Sequence, residues 1–132
     1  DSGRTLEEVI KMASIIEKEA DATSRQEVSD ILWHRLNIGM ALQVDATFVY
    51  SINKSTFDLT LEDLEDKTNP YNSYTNTWLP PTQIGNTGLE SIKAAANTEP
   101  TENLYFLTGH DGNMYYATNF DDHVVNKRRY LD

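Results

Sequence analysis

The sequence predicts an α+β domain in which an antiparallel helical pair and further short helices pack with a small β-hairpin. Three observations carry that prediction. Two amphipathic runs joined by a short break fill the first third of the chain, two β-prone runs flank a glycine-rich turn near its end, and helical patterns never alternate with strands. A length of 132 residues suits one such domain. Residues 4–132 are taken as that domain, and Asp1-Ser2-Gly3 reads as a short polar remnant of cloning.

From Leu6 to Ala20 the residues Leu6, Val9, Ile10, Ala13, Ile16 and Ala20 recur at spacings of three and four, the mark of an amphipathic helix. Asp21-Ala22-Thr23 interrupts the pattern. Ser24-Arg25-Gln26-Glu27 then reads as a capping box, and a second helix buries Val28, Ile31, Leu32 and Leu36 before ending near Gly39. Residues 40–45 read as a loop and 46–50 as a short helix. Residues 61–64 give one helical turn. Residues 68–86 are rich in Asn, Thr, Pro and Tyr, and with Tyr71, Tyr74, Trp78 and nearby Phe57 as anchors they predict a long ordered loop. A further helix spans 88–96. Residues 103–108 and 113–118 flank Gly109-His110-Asp111-Gly112 as a hairpin, with Tyr115 or Tyr116 candidates for a groove wall, and 120–130 form a closing helix.

Charge narrows the function classes. With 11 basic residues against 21 acidic ones the net charge is −10, which disfavours a nucleic-acid partner. Lys127-Arg128-Arg129, the one basic cluster, reads as a solvated helix end. The absence of cysteine excludes disulfides and thiolate metal sites. No apolar run approaches the roughly 20 residues that span a bilayer, so membrane attachment would need an anchor outside this chain. His34, His110 and His123 show no metal-binding spacing, and there is neither a GxSxG elbow nor a phosphate loop. No metal or cofactor is expected.

Carboxylates remain, and "IIEKEA" at residues 15–20 places two of them at the end of an apolar helical pattern. At about 100° per residue, Glu17 falls inside the arc of Leu6, Val9, Ala13, Ile16 and Ala20, and Glu19 falls at its edge beside Met12 and Ile15. Partial burial raises a carboxyl pKa toward what a proton donor needs. Glu17 reads equally as a buried acid paired with a base such as Arg35, and Glu19 as plain surface charge.

Three longer stretches decide between these readings. "ASIIEKEA", "RLNIGMALQVDATFVYS" and "NPYNSYTNTWLPPTQIGNTGLESIKAAANTEPTENLYFLTG" resemble, in order and spacing, the catalytic domain of the endolytic murein transglycosylases, the MltG/YceG-like family. The resemblance covers roughly residues 8–125. It implies an enzyme at the extracytoplasmic face of a bacterial cell membrane that cleaves the MurNAc-β-1,4-GlcNAc bond within peptidoglycan glycan strands and leaves 1,6-anhydro-MurNAc ends. By the same resemblance Glu19 is the catalytic acid and base and Gln43, Asp45, Tyr71, Asn72 and Tyr74 form the substrate site; Glu17, counted with that site, is left as a buried partner that holds it together. Asp45 has the alternative of capping the helix that follows it. Cell-wall synthases are implied as partners, and relatives carry a membrane helix and a LysM-like region ahead of this domain. A non-catalytic peptidoglycan-binding module of the wall-synthesis machinery is the rival reading.

Overall fold

The computed structural model describes residues 3–131. Its elements run α1 (Leu6–Glu19), α2 (Arg25–Asn37), α3 (Ala46–Ile52), a 3-10 turn (Thr56–Asp58), α4 (Leu61–Glu65), α5 (Leu89–Ala96), β1 (Tyr105–Thr108), β2 (Met114–Ala117) and α6 (Phe120–Tyr130). This is the expected α+β arrangement. Of the expected leading remnant, residues 1 and 2 lie outside the described part.

Local chemistry sets most boundaries. Thr5 and Glu8 form a reciprocal capping box that starts α1, and Thr60 with Asp63 does the same for α4. The box expected at Ser24 does not form. Its hydroxyl accepts from the Asp21 N–H and donates to the Asp21 carboxylate, both at 3.0 Å, because Asp21 already organises the α1–α2 turn through Thr23. At the other end of α2, Gly39 at φ +81° lets its N–H reach the Leu36 carbonyl and the Met40 N–H reach the Arg35 carbonyl. That Schellman pair closes the helix.

The core forms where α1, α2 and α5 meet, around Met12, Ile15, Ile16, Val28, Leu32 and Ala95. Leu6, counted among the apolar positions, is 76% exposed. The buried side of α1 is Val9, Met12, Ala13, Ser14, Ile15 and Ile16, so it is centred on Met12 and Ile16 and displaced from the stripe read off the sequence.

Helix α5 has only eight residues and is held at both ends by side chains. Buried Ser29 donates to the Ala94 carbonyl at 2.7 Å, and the Trp33 indole donates to the Ala95 carbonyl at 3.1 Å. Both carbonyls belong to the last turn, where no intrahelical partner exists. At its start, Glu17 Oε1 accepts from the Gly88 N–H at 3.0 Å and from the Ser91 hydroxyl at 2.7 Å. A carboxylate there also complements the helix dipole.

The two strands pair antiparallel with Tyr105 opposite Ala117 and Thr108 opposite Met114. Phe106 and Met114 pack against the core, and α6 lies along the hairpin. Of the two tyrosines considered for a groove wall, Tyr115 instead stacks on Tyr130 and donates to Asp111.

The long segment 68–86 is ordered by specific anchors. Leu79 and Ile84 are buried, and the Ile84 N–H donates to Ser14 Oγ at 3.0 Å. Ser73 holds residues 43–44 through its backbone carbonyl and its hydroxyl. The loop is thereby fixed against α1 and α3.

Candidate active site

Glu19 is the last residue of α1, and Ala20 leaves the helix in an extended conformation. Once the buried arc is centred on Met12 and Ile16, Glu19 lies between the directions of Ile15 and Met12, and Glu17 lies beyond Ala13. The structure therefore reverses the order of burial read from the sequence. Glu17 turns to α5, where its Oε1 is engaged, and the two hydrogen bonds from Ser91 and Gly88 hold its pKa below the usual carboxylate value. It does not pair with Arg35. Arg35 donates instead to the carbonyls of Ala41 at 2.9 Å and Leu104 at 2.7 Å.

Glu19 has the opposite environment. Burial, and after it the negative charge of Asp45, raise its pKa from 4.5 to about 7. No hydrogen bond within the described residues offsets that rise. Half of the carboxyl groups are then protonated near neutral pH, the condition for donating a proton and taking one back.

Asp45 stands just before α3, yet its side chain makes no cap hydrogen bond, so the capping alternative falls away. Its Oδ1 accepts from the Tyr74 hydroxyl at 3.1 Å. Burial and the charges of Asp45 and Glu19 push the Tyr74 phenol well above its ordinary pKa, so it stays a hydrogen-bond donor. Glu19, Asp45 and Tyr74 thus form one electrostatic cluster from α1, the α3 approach and the long loop.

Gln43 reaches the same place by backbone strain. Its φ is +56°, unusual for a residue with a Cβ, and buried Leu42 and Val44 pin the chain on either side. The Gln43 side chain is left exposed at the mouth of a small cavity.

Glu19 borders two cavities. One, about 110 Å³, is lined also by Arg35, Gln43, Tyr105 and His123. The other, about 270 Å³, is lined by Val49, Tyr50, Thr56 and Ile84 among others. Tyr50 is 49% exposed, and its ring lies 5.4 Å from that of Tyr71. An acid between two hollows, both with aromatic side chains in their walls, is placed to exchange a proton with a ligand that spans them. A wider cleft of about 350 Å³ near Arg4 and Trp33 is lined by two acids, Asp30 and Glu99, of which Asp30 is occupied by Gln26 and the Glu99 N–H.

Of the expected site residues, Glu19 and Gln43 line these cavities, whereas Glu17, Asp45, Tyr71, Asn72 and Tyr74 do not. Asn72 is fully buried: its amide nitrogen donates to the carbonyls of Leu64 and Asp66, and its oxygen accepts from the N–H groups of Tyr74 and Thr75. It braces the loop that carries Tyr74. Glu17 lines neither hollow, being spent on α5. Tyr71, half-buried, packs on Tyr50 and bonds Thr82 through its hydroxyl at 3.0 Å. Arg35, Tyr105, His123 and Tyr50 were not among the expected site residues; an arginine on the apolar side of α2 was the available signal for the first.

The family model described as the YceG-like family matches residues 1–129. The chain belongs to the YceG-like family. It is 34% identical over 128 residues to an endolytic murein transglycosylase of Bacillus subtilis, covering 96% of this chain and 35% of that protein. A Streptococcus pneumoniae protein of the same name is 33% identical, with 97% of this chain and 24% of that protein covered. A crystal structure of a yceG-like protein from Listeria monocytogenes superposes with a TM-score of 0.82 at 34% identity, over 91% of this chain and 39% of that one. The YceG-like chain described here thus spans about a third or less of the curated relatives it matches. No helix among its described residues is long and apolar enough to cross a membrane.

Proposed function

We propose that this YceG-like domain is an endolytic peptidoglycan transglycosylase with Glu19 as its single acid and base. The observation that carries the reading is a carboxyl raised to about 7 at the junction of two cavities. Protonated Glu19 donates to the glycosidic oxygen between MurNAc and GlcNAc as the C1–O bond breaks. The muramyl C6 hydroxyl oxygen then bonds C1, and its proton passes to the Glu19 carboxylate. The result is a 1,6-anhydro end, with no water consumed and the enzyme returned to its starting protonation state. An internal nucleophile supplies a proximity advantage and removes the need for a second carboxylate to activate water.

Asp45 has a different task. Its charge raises the Glu19 pKa before reaction and offsets the positive charge that develops at C1 during it. Tyr74 holds Asp45, Gln43 contacts sugar substituents, and Tyr50 with Tyr71 offers ring surface to sugar C–H faces. Peptidoglycan strands at the outer face of the cell membrane are the proposed substrate, with wall synthases as proposed partners.

Mass analysis of glycan strands digested by the purified protein tests the proposal. Anhydro-muramyl ends from the wild type, and none from Glu19→Gln, are the expected result. Ends heavier by one water would identify a hydrolase with Asp45 as the second carboxylate, and strand binding without any cleavage would identify a scaffold module.

A further inference from the structure

The smaller cavity beside Glu19 contains a feature that proton transfer does not use. Arg35 is 4% exposed and yet no carboxylate pairs with it; the ion pairs among the described residues are Lys11–Glu7, Lys54–Asp63 and Lys93–Glu90. Two backbone carbonyls take its Nε and Nη1, and Nη2 is buried with no hydrogen-bond partner. His123, 9% exposed, likewise has a buried Nδ1 without a partner. Both side chains line the cavity. A buried cation with no carboxylate beside it and an unsatisfied ring nitrogen are both costly, and each calls for an explanation in the cavity it lines.

Their placement is held by stacking. The Arg35 guanidinium carbon lies 5.2 Å from the centroid of the Tyr105 ring, and that ring stacks on His123 at 4.9 Å with 23° between planes. Residues from α2, β1 and α6 therefore form one column, with no contribution from the Glu19 helix. Burial, with Lys127 and Arg35 nearby, lowers the His123 pKa and keeps its ring neutral. The remaining walls include Leu42, Val44 and Phe106.

Resting on the glycan reading above, we propose that this cavity is a specificity subsite for the 2-acetamido group of the sugar bound beside Glu19. Its carbonyl oxygen accepts from Arg35 Nη2, its N–H meets the Gln43 amide oxygen, and its methyl group packs on the apolar walls. A volume of about 110 Å³ suits a substituent of this size and excludes a stem peptide.

Binding measured without cleavage separates this proposal from the catalytic one. Glu19→Gln protein is titrated with the tetramer of N-acetylglucosamine and with the tetramer of glucosamine, while side-chain NMR signals of Arg35 and His123 are followed. The N-acetylated tetramer is expected to move both signals and to bind at least about tenfold more tightly, the worth of one hydrogen bond to a charged group. Gln43→Ala is expected to narrow that preference, and so is Arg35→Lys where circular dichroism shows it folded. Equal binding of the two tetramers, unmoved Arg35 and His123 signals, or no saturable binding of the N-acetylated tetramer would overturn the proposal. Loss of cleavage in Glu19→Gln bears only on the catalytic reading.

Discussion

Glu17 and Glu19 are two residues apart on the same helical turn, and they have been given opposite environments. Glu17 faces α5, where an N–H and a hydroxyl stabilise its charge; Glu19 faces the cavities, where burial and a neighbouring carboxylate oppose its charge. A charged acid that is satisfied belongs to the fold, because ionisation is what lets it hold the helix end. An acid whose charge is penalised stores a proton near pH 7 and can exchange it. The lesson is that position along a helix does not assign a role; the partners on the facing element do.

The largest expected effect tests the division directly. Glu19→Gln should reduce strand cleavage by at least 10²–10⁴-fold, the usual contribution of a positioned acid and base, whereas Glu17→Gln should leave turnover within a few-fold. In the wild type, cleavage that depends on the protonated acid should fall as pH rises above about 7. A pH–rate profile that declines near pH 4.5 instead would place the working acid elsewhere.

Stability against pH sharpens the same contrast. Because the folded pKa of Glu19 is raised from 4.5 to about 7, the native state holds a proton that the unfolded chain releases between those values. Its contribution is fully present below pH 4.5 and is lost as pH rises through about 7. Glutamine cannot ionise, so at pH 8 Glu19→Gln should be more stable than wild type by about 3 kcal/mol, with little difference at pH 4. Urea unfolding at the two pH values measures this. For Glu17 the sign is opposite: its lowered pKa contributes stability above the unfolded value, lost as pH falls through the folded one.

What the sequence disclosed follows the range of the interactions involved. Helices α1, α2, α5 and α6 and the hairpin were legible because periodicity and turn residues act within a few positions. The order of burial of Glu17 and Glu19 was not, since α5 and α3 select which side of α1 is covered, and a regular stripe that includes exposed Leu6 points elsewhere. The family resemblance named Glu19, Gln43, Asp45 and Tyr74 without that geometry, alongside Glu17, Tyr71 and Asn72, and the fold brings Glu19, Asp45 and Tyr74 into one cluster. Of the Arg35–Tyr105–His123 column the sequence signalled at most Arg35, an arginine on the apolar side of α2; the column itself was not legible, as its members come from three elements brought together only by the fold.

Asn72 offers the next test, since the motif placed it in the site and the fold buries it. Asn72→Ala leaves the Leu64 and Asp66 carbonyls and two N–H groups without their partner, which should cost about 1–3 kcal/mol. Thermal unfolding should show that loss. Affinity for short glycans should fall only as far as Tyr74 is displaced. A full loss of binding with unchanged stability would return Asn72 to the sugar-contacting set.

The smallest effect is the most diagnostic of the structural side. Glu17→Gln keeps an acceptor oxygen within reach of Gly88 and Ser91 but removes the charge at the α5 N-terminus, so it should cost less than about 1 kcal/mol. Glu17→Ala removes the acceptor as well and should cost about 1 kcal/mol or more. The loss should appear as faster amide exchange in the first turn of α5, because its last-turn carbonyls remain tied to Ser29 and Trp33. If exchange instead quickened around Glu19 and Gln43 with α5 unchanged, Glu17 would be supporting the site directly, and the separation between the two acids would fail.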